Sequence, residues 1–127
     1  MRLLAGTVAL TVALTLTVAG CSQGAALGGS CDCTASTGIC TEYYDQSSAA
    51  LADERQQCTS PLLYPCRFSS LPCALDTWGG CTFVGGATGG AITTYRPAAG
   101  HTLDGEKAAC ESAGGTFEPR ARPDAGP

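Results

Sequence analysis

The sequence predicts a small disulfide-rich α+β domain: two weakly similar strand–helix–strand units stapled by up to four disulfides. Three observations lead there. Nine cysteines stand in 127 residues, eight of them in the stretch from Cys31 to Cys110. Large apolar side chains are sparse, with aromatics at 6% and 17 glycines. A core that thin needs cross-links, each typically worth about 2–4 kcal/mol. Finally, a weak internal repeat lies at an offset of 52 residues, where Thr41, Tyr43, Leu51, Glu54, Cys58 and Ser60 meet Thr93, Tyr95, Leu103, Glu106, Cys110 and Ser112. A recurring pattern of this kind marks one supersecondary unit per copy.

Residues 1–20 hold one charge, Arg2, followed by an apolar run that ends in small residues. That is the pattern of a secretory signal. A membrane span is the alternative, but the run is near the lower limit of roughly 17–25 residues for crossing a bilayer, and no basic stop-transfer cluster follows. The end of the run, Val18-Ala19-Gly20-Cys21, resembles the lipobox of bacterial lipoproteins. The resemblance implies that the Cys21 thiol is joined to a diacylglyceryl group, that the signal is cut just before Cys21, and that the new amino group is acylated, commonly with palmitate. One acyl chain alone binds membranes only marginally, and lipoprotein-type modification supplies more than one. Ser22, rather than an aspartate, follows the cysteine, which by the enteric sorting pattern implies the outer membrane. Membrane attachment through the lipid on Cys21 is therefore the first partnership expected.

Residues 21–30 form the lipidated cysteine and a Gly/Ala/Ser-rich linker, flexible by composition. The domain proper spans 31–118, with units at about 38–73 and 79–118, and residues 119–127 read as a disordered, Pro- and charge-rich tail. In the first unit "CTEYY" is a strand by its β-branched and aromatic content, and in the second "CTFV" and "AITTYR" are strands joined by the glycine-rich "GGATGG". A helix follows in each: "SSAALADERQQC", capped by Ser47 or Ser48, and the shorter "LDGEKAAC". Leu51 and Cys58, like Leu103 and Cys110, are seven residues apart and so share a helix face. "SAGG" at 112–115 is a glycine stop, and "TFEP" at 116–119 is a closing strand. If "GICT" at 38–41 matches "GGCT" at 79–82, a strand cysteine meets a helix cysteine within each unit. The expected bonds are then Cys40 with Cys58 and Cys81 with Cys110. Cys31, Cys33, Cys66 and Cys73 remain unassigned, since eight cysteines allow 105 pairings.

Thiolate metal ligation is the rival reading of the cysteines. Structural zinc sites favour C-x₂₋₄-C knuckles, whereas the spacings around Cys31-Asp32-Cys33 and along Cys66, Cys73 and Cys81 leave one, six and seven intervening residues, and His101 is the sole histidine. No metal and no cofactor is expected. The Cys-Thr-Glu-Tyr strand, the helix ending in cysteine and the turn Gly114-Gly115-Thr116-Phe117 resemble small cysteine-rich lipoproteins of myxobacterial type. That resemblance covers 38–118 loosely, and the first unit departs from it with "SPLLYPC" at 60–66. It implies no activity.

Formal charge is −4 overall, and loss of Arg2 with the signal leaves about −5, which argues against nucleic acid as a partner. No catalytic constellation stands out. His101 is in a loop without a visible partner, Glu42 and Asp45 lie in a strand and a turn, no serine occupies a Gly-x-Ser-x-Gly elbow, and Cys31-x-Cys33 is not the redox spacing. Tyr43, Tyr44, Tyr64 and Trp78 could anchor a partner, but in so small a core they serve first as its filling. The expected role is structural or binding at the cell envelope, with an unidentified protein or envelope ligand and no enzymatic activity. The alternative is an exported protease inhibitor: "TTYRPAAGHTLDGEKAAC" at 93–110 is similar to the Thr-Tyr to helical-cysteine stretch of Kazal-type inhibitors, although the cysteine framework differs.

Overall fold

The computed structural model describes residues 25–63, 65–85 and 89–120. The expected signal, Cys21 and the last seven residues lie outside them, as does Tyr64. Six strands are present: β1 (Leu27–Cys33), β2 (Ile39–Tyr44), β3 (Arg67–Ser69), β4 (Gly79–Val84), β5 (Ala91–Tyr95) and β6 (Thr116–Pro119). They form one antiparallel sheet in the order β3-β1-β2-β5-β4-β6. Helix α1 (Ser48–Cys58) precedes β3 and helix α2 (Leu103–Ser112) precedes β6. The elements thus run strand, strand, helix, strand, and then the same again. A small disulfide-rich α+β domain is what the chain forms.

Two strands were not expected from the sequence. β1 begins inside the stretch read as a flexible linker, because "LGGSC" lacks the usual β-branched and aromatic signal. Its glycines serve close approach rather than freedom. At Gly29 an added Cβ would lie 2.5 Å from the Phe68 ring and 2.9 Å from the Ser69 carbonyl oxygen, so only glycine lets β3 and its aromatic lie against β1. β3 is three residues long and too short to announce itself. The expected tail also starts too early. Pro119 closes β6, and the Arg120 N–H donates to the Trp78 carbonyl at 3.0 Å.

Residues directly opposite one another in a sheet project to the same side. The pairings therefore set Phe68, Cys31, Thr41, Thr94, Cys81 and Phe117 in one row across one face. Both helices lie on that face, held by the disulfides Cys31–Cys58 and Cys81–Cys110. The core there is small: Cys31, Tyr43 and Cys58 are buried, with Leu51, Phe68, Ile92 and the Cys33–Cys66 disulfide packed against them. The adjoining row on the other face is polar throughout, Ser69, Ser30, Glu42, Thr93, Thr82 and Thr116. The segment 70–78 covers that side, tied down by Cys40–Cys73 and by the Ser30 hydroxyl donating to the Leu71 carbonyl at 2.7 Å.

Two expectations change as a result. Cys40 bonds Cys73, and Cys58 bonds Cys31. The strand cysteine that matches Cys81 in the row is Cys31, on the strand the sequence reading missed. The offset of 52 also fails to preserve faces within the strands: Thr41 stands opposite Thr94 and shares its face, whereas Thr93 projects to the other. A slip of one residue moves a side chain to the other face. Tyr43 consequently sits in the helical-side core, and Tyr95 points to the opposite side.

Candidate functional site

The cysteines from 31 to 110 are all consumed in four disulfides, Cys31–Cys58, Cys33–Cys66, Cys40–Cys73 and Cys81–Cys110. The sulfurs of Cys31, Cys33 and Cys66 lie within 4.8 Å of one another, and Cys31 Sγ is 3.6 Å from Cys33 Sγ. All three are bonded in disulfides and so offer no thiolate to a metal.

On the face away from the helices, the Glu42 carboxylate is 1% exposed. Its Oε1 accepts the Cys73 N–H at 2.7 Å, and its Oε2 accepts the Tyr95 hydroxyl at 2.8 Å and the Tyr44 hydroxyl. Burial first, and then the bond to Glu42, pushes the Tyr44 phenol up to about 12. The same two causes raise Tyr95 further. The Arg120 guanidinium sits over the Tyr95 ring, 5.3 Å from its centroid, and donates to the Cys73 carbonyl at 3.4 Å. Gly80 lies opposite Tyr95, and a Cβ there would come 2.7 Å from the ring. This cluster satisfies a buried charge with three donors and ties segment 70–78 to the seam between β2 and β5. A carboxylate sealed in this way cannot reach a substrate proton. Sequence reading placed Glu42 in a strand but missed the cluster. The signal was available in the alternation: Cys40, Glu42 and Tyr44 share a face, so an acid is carried inward with a cysteine.

A crevice of about 220 Å³ opens on the helical face under α2. Ile39, Phe83, Thr94 and Phe117 line it, and Arg96 and Glu106 bring the charged groups. β4 and β5 place Phe83 and Thr94 on this side by their alternation, Arg96 follows directly after β5, and the Cys81–Cys110 bond holds α2 over them. Thr102 caps α2, accepting the Gly105 N–H at 3.1 Å, and His101 Nδ1 lies 2.8 Å from Glu106 Oε1. His101 thus has a partner that the sequence did not reveal, and its side chain is 42% exposed. An apolar floor with one cation and one carboxylate can hold a small ligand or a partner's side chain, but it contains no nucleophile–base pair. Of the aromatic candidates, Tyr43 is core, Tyr44 belongs to the Glu42 cluster, and the Trp78 indole donates to the His101 carbonyl at 3.0 Å. Tyr64 and the lipidation candidate Cys21 lie outside the described residues.

No protein-family model matches the chain, and neither a curated protein nor a solved structure matches it.

Proposed function

We propose that the chain is a membrane-anchored cell-envelope lipoprotein whose stapled domain has a structural or binding role and no catalytic activity. The observation that carries this reading is an arithmetic of cysteines. Four disulfides use every cysteine from 31 to 110, and the ninth, Cys21, stands at the end of a signal-like run in Val18-Ala19-Gly20-Cys21. A thiol left out of the staples is the one free to become a thioether. Ser22 after it favours the outer membrane. The crevice under α2 supports a binding role, and the enclosure of Glu42 supports a structural rather than catalytic use of its charge. The inhibitor alternative is less well supported: the β5 strand and α2 helix within 93–110 agree with the stretch that suggests it, but Thr93 is 4% exposed and the cysteine framework differs. We also read the two halves of the sheet as two versions of one strand–strand–helix–strand unit, on the strength of the Phe-Cys-Thr-Thr-Cys-Phe row.

Intact mass of protein extracted from membranes, before and after reduction, tests the reading. The expected result is a chain beginning at Cys21 that carries acyl groups and gains about eight mass units on reduction, two per disulfide. A chain retaining residues 1–20, or one beginning at Cys21 without acyl groups, would refute the lipoprotein assignment.

A further inference from the structure

We infer that the Cys33–Cys66 disulfide is the point at which an external dithiol opens the first half of the domain, and that Cys33 then relays the opening to the buried Cys31–Cys58 disulfide. The relay is a property of the stapled domain and stands apart from the membrane reading. Cys31 and Cys33 are two residues apart on β1, so alternation sends both to the helical face. Cys31 is bonded there to Cys58, the last residue of α1, and Cys33 to Cys66, just before β3. The two bonds therefore lie side by side. Cys31 Sγ is 3.6 Å from Cys33 Sγ, and Cys66 Sγ lies within 4.8 Å of both. Among the described residues no other three cysteines are grouped this closely.

Access differs within the pair. Cys31 and Cys58 are 6% and 2% exposed. Cys33 and Cys66 are only partly buried, and the hydroxyl of the exposed Ser36, in the β1–β2 turn, lies 3.6 Å from Cys66 Sγ. Exchange needs a thiolate that can reach a sulfur, so an external thiol meets Cys33–Cys66 first. One thiolate of a dithiol attacks Cys66 Sγ and forms a mixed disulfide there, and the electron pair of the broken bond leaves on Cys33. The Cys33 thiolate attacks Cys31 Sγ beside it. The Cys31–Cys33 bond forms, the Cys31–Cys58 bond breaks, and Cys58 leaves as a thiolate that takes up a proton. The second thiol of the dithiol then displaces Cys66 and closes its own disulfide. The dithiol has lost two electrons and two protons, and the chain has gained two thiols, Cys58 and Cys66. A further dithiol opens Cys31–Cys33, a bond between alternate residues of one strand and so near the outer limit of disulfide reach. With Cys58 free, Ala50 is the one other buried residue of α1. Attack on an accessible bond thus undocks a helix whose own staple the reagent never touches.

Cys40–Cys73 supplies the comparison within the molecule. Cys40 and Cys73 are 2% and 4% exposed, as deeply buried as Cys31 and Cys58. Cys40, however, stands opposite Asp32 and so projects to the other face of the sheet, away from the paired bonds. The full oxidised chain, with any thiol already free blocked by iodoacetamide, is exposed to excess dithiothreitol at neutral pH without denaturant. Samples quenched in acid over time are labelled with N-ethylmaleimide, and the labels are located by peptide fragmentation. The expected order is Cys33–Cys66, then Cys31–Cys58 directly after it, with Cys40–Cys73 slower by about tenfold or more. In the variant Cys33→Ala with Cys66→Ala the relay is missing, and Cys31–Cys58 should open about as slowly as Cys40–Cys73. Equal rates for Cys31–Cys58 and Cys40–Cys73 in the wild type would overturn the relay, because the neighbouring sulfur then confers nothing. So would opening of Cys31–Cys58 in the folded variant at the wild-type rate or faster. Where circular dichroism shows the variant unfolded, the order of opening in the wild-type chain decides alone.

Discussion

The two halves of the sheet solve the same problem by different means. In each, a helix must return the chain to the sheet edge and lay down a short outer strand. From α2 to β6 the return takes only residues 113–115. Gly114 adopts φ 83°, and the Gly115 N–H donates to the Cys110 carbonyl at 3.0 Å, a glycine C-terminal stop that reverses the chain in one step. From α1 to β3 the return takes residues 59–66, through a 3₁₀ turn at Pro61–Leu63. No glycine is available there. That half carries two further disulfides, Cys33–Cys66 and Cys40–Cys73, and they bracket β3 on both sides. The difference teaches that a tight turn and a covalent staple are interchangeable ways of fixing an edge strand. Where the turn is tight, one disulfide suffices.

The largest effect that would break this comparison comes from removing staples. Each helix has little apolar surface to dock with: Cys110 is the buried residue of α2, and Ala50 and Cys58 are those of α1. Cys81–Cys110 spans 29 residues and Cys33–Cys66 spans 33, so loop entropy assigns both about 3–4 kcal/mol. Their local consequences differ. Cys81→Ala with Cys110→Ala releases α2 altogether, and amide exchange should become fast throughout α2. Cys33→Ala with Cys66→Ala leaves α1 held by Cys31–Cys58, and exchange should quicken only around 59–70. Equal protection of α2 before and after the first double substitution would show that the helix docks without its staple.

This contrast also explains what could be read in advance. β2, β4, β5, β6 and both helices were legible, because β-branched and aromatic runs, a serine cap and the Gly114 stop act locally. The Cys81–Cys110 bond was reachable for the same reason, since every element of that half was visible. Cys31–Cys58 was not, because β1 exists through its neighbours on both sides, and its glycines look like a linker until Phe68 is seen lying on Gly29. With β1 hidden, Cys40 became the nearest available partner for Cys58. The one-residue slip in the repeat has a related origin. Thr41-x-Tyr43 and Thr93-x-Tyr95 match as letters, yet the pairing of Thr41 with Thr94 sends the two tyrosines to opposite faces. The crevice depends on α2 crossing Thr94 and Phe83, a tertiary placement with no local signature.

The seam joining the halves offers the next test. Glu42 on β2 holds Tyr95 on β5 and the Cys73 N–H of the covering segment. Glu42→Ala leaves three donors without their acceptor, and the expected cost is about 2–4 kcal/mol, read from urea unfolding at neutral pH. The phenols give a second readout. Tyr44 is raised from 10.0 to about 12, and Tyr43 and Tyr95 are raised as well. Folding therefore favours the protonated phenols. The contribution is complete below pH 10, shrinks as the unfolded chain's tyrosines ionise, and is lost as pH rises through the folded value near 12 for Tyr44. Thermal midpoints should fall over that window while tyrosinate absorbance rises with unfolding. A midpoint unchanged between pH 10 and pH ~11.5 would show that the phenols ionise in place and that the cluster does not depend on their protons.

The smallest effect bears most directly on the exchange of turn for staple. Gly114 has open space where a Cβ would go, so a substitution there acts through the backbone alone. At φ 83° alanine pays a left-handed penalty of about 1–2 kcal/mol. If the turn replaces the missing disulfides of this half, Gly114→Ala should lower stability by that amount and loosen β6 selectively, quickening exchange at the Phe117 and Glu118 amides ahead of β3. A glycine at an equally open, positive-φ position elsewhere is the control: Gly38, at φ 71° in the β1–β2 turn, also faces empty space. Gly38→Ala carries the same backbone penalty, but that turn is braced by the adjacent Cys33–Cys66 and Cys40–Cys73 bonds. Its cost should therefore appear in global stability without selective loosening of the strands beside it. If both substitutions loosen their neighbouring strands equally, the disulfides do not brace the first half, and the turn has not taken the place of a staple in the second.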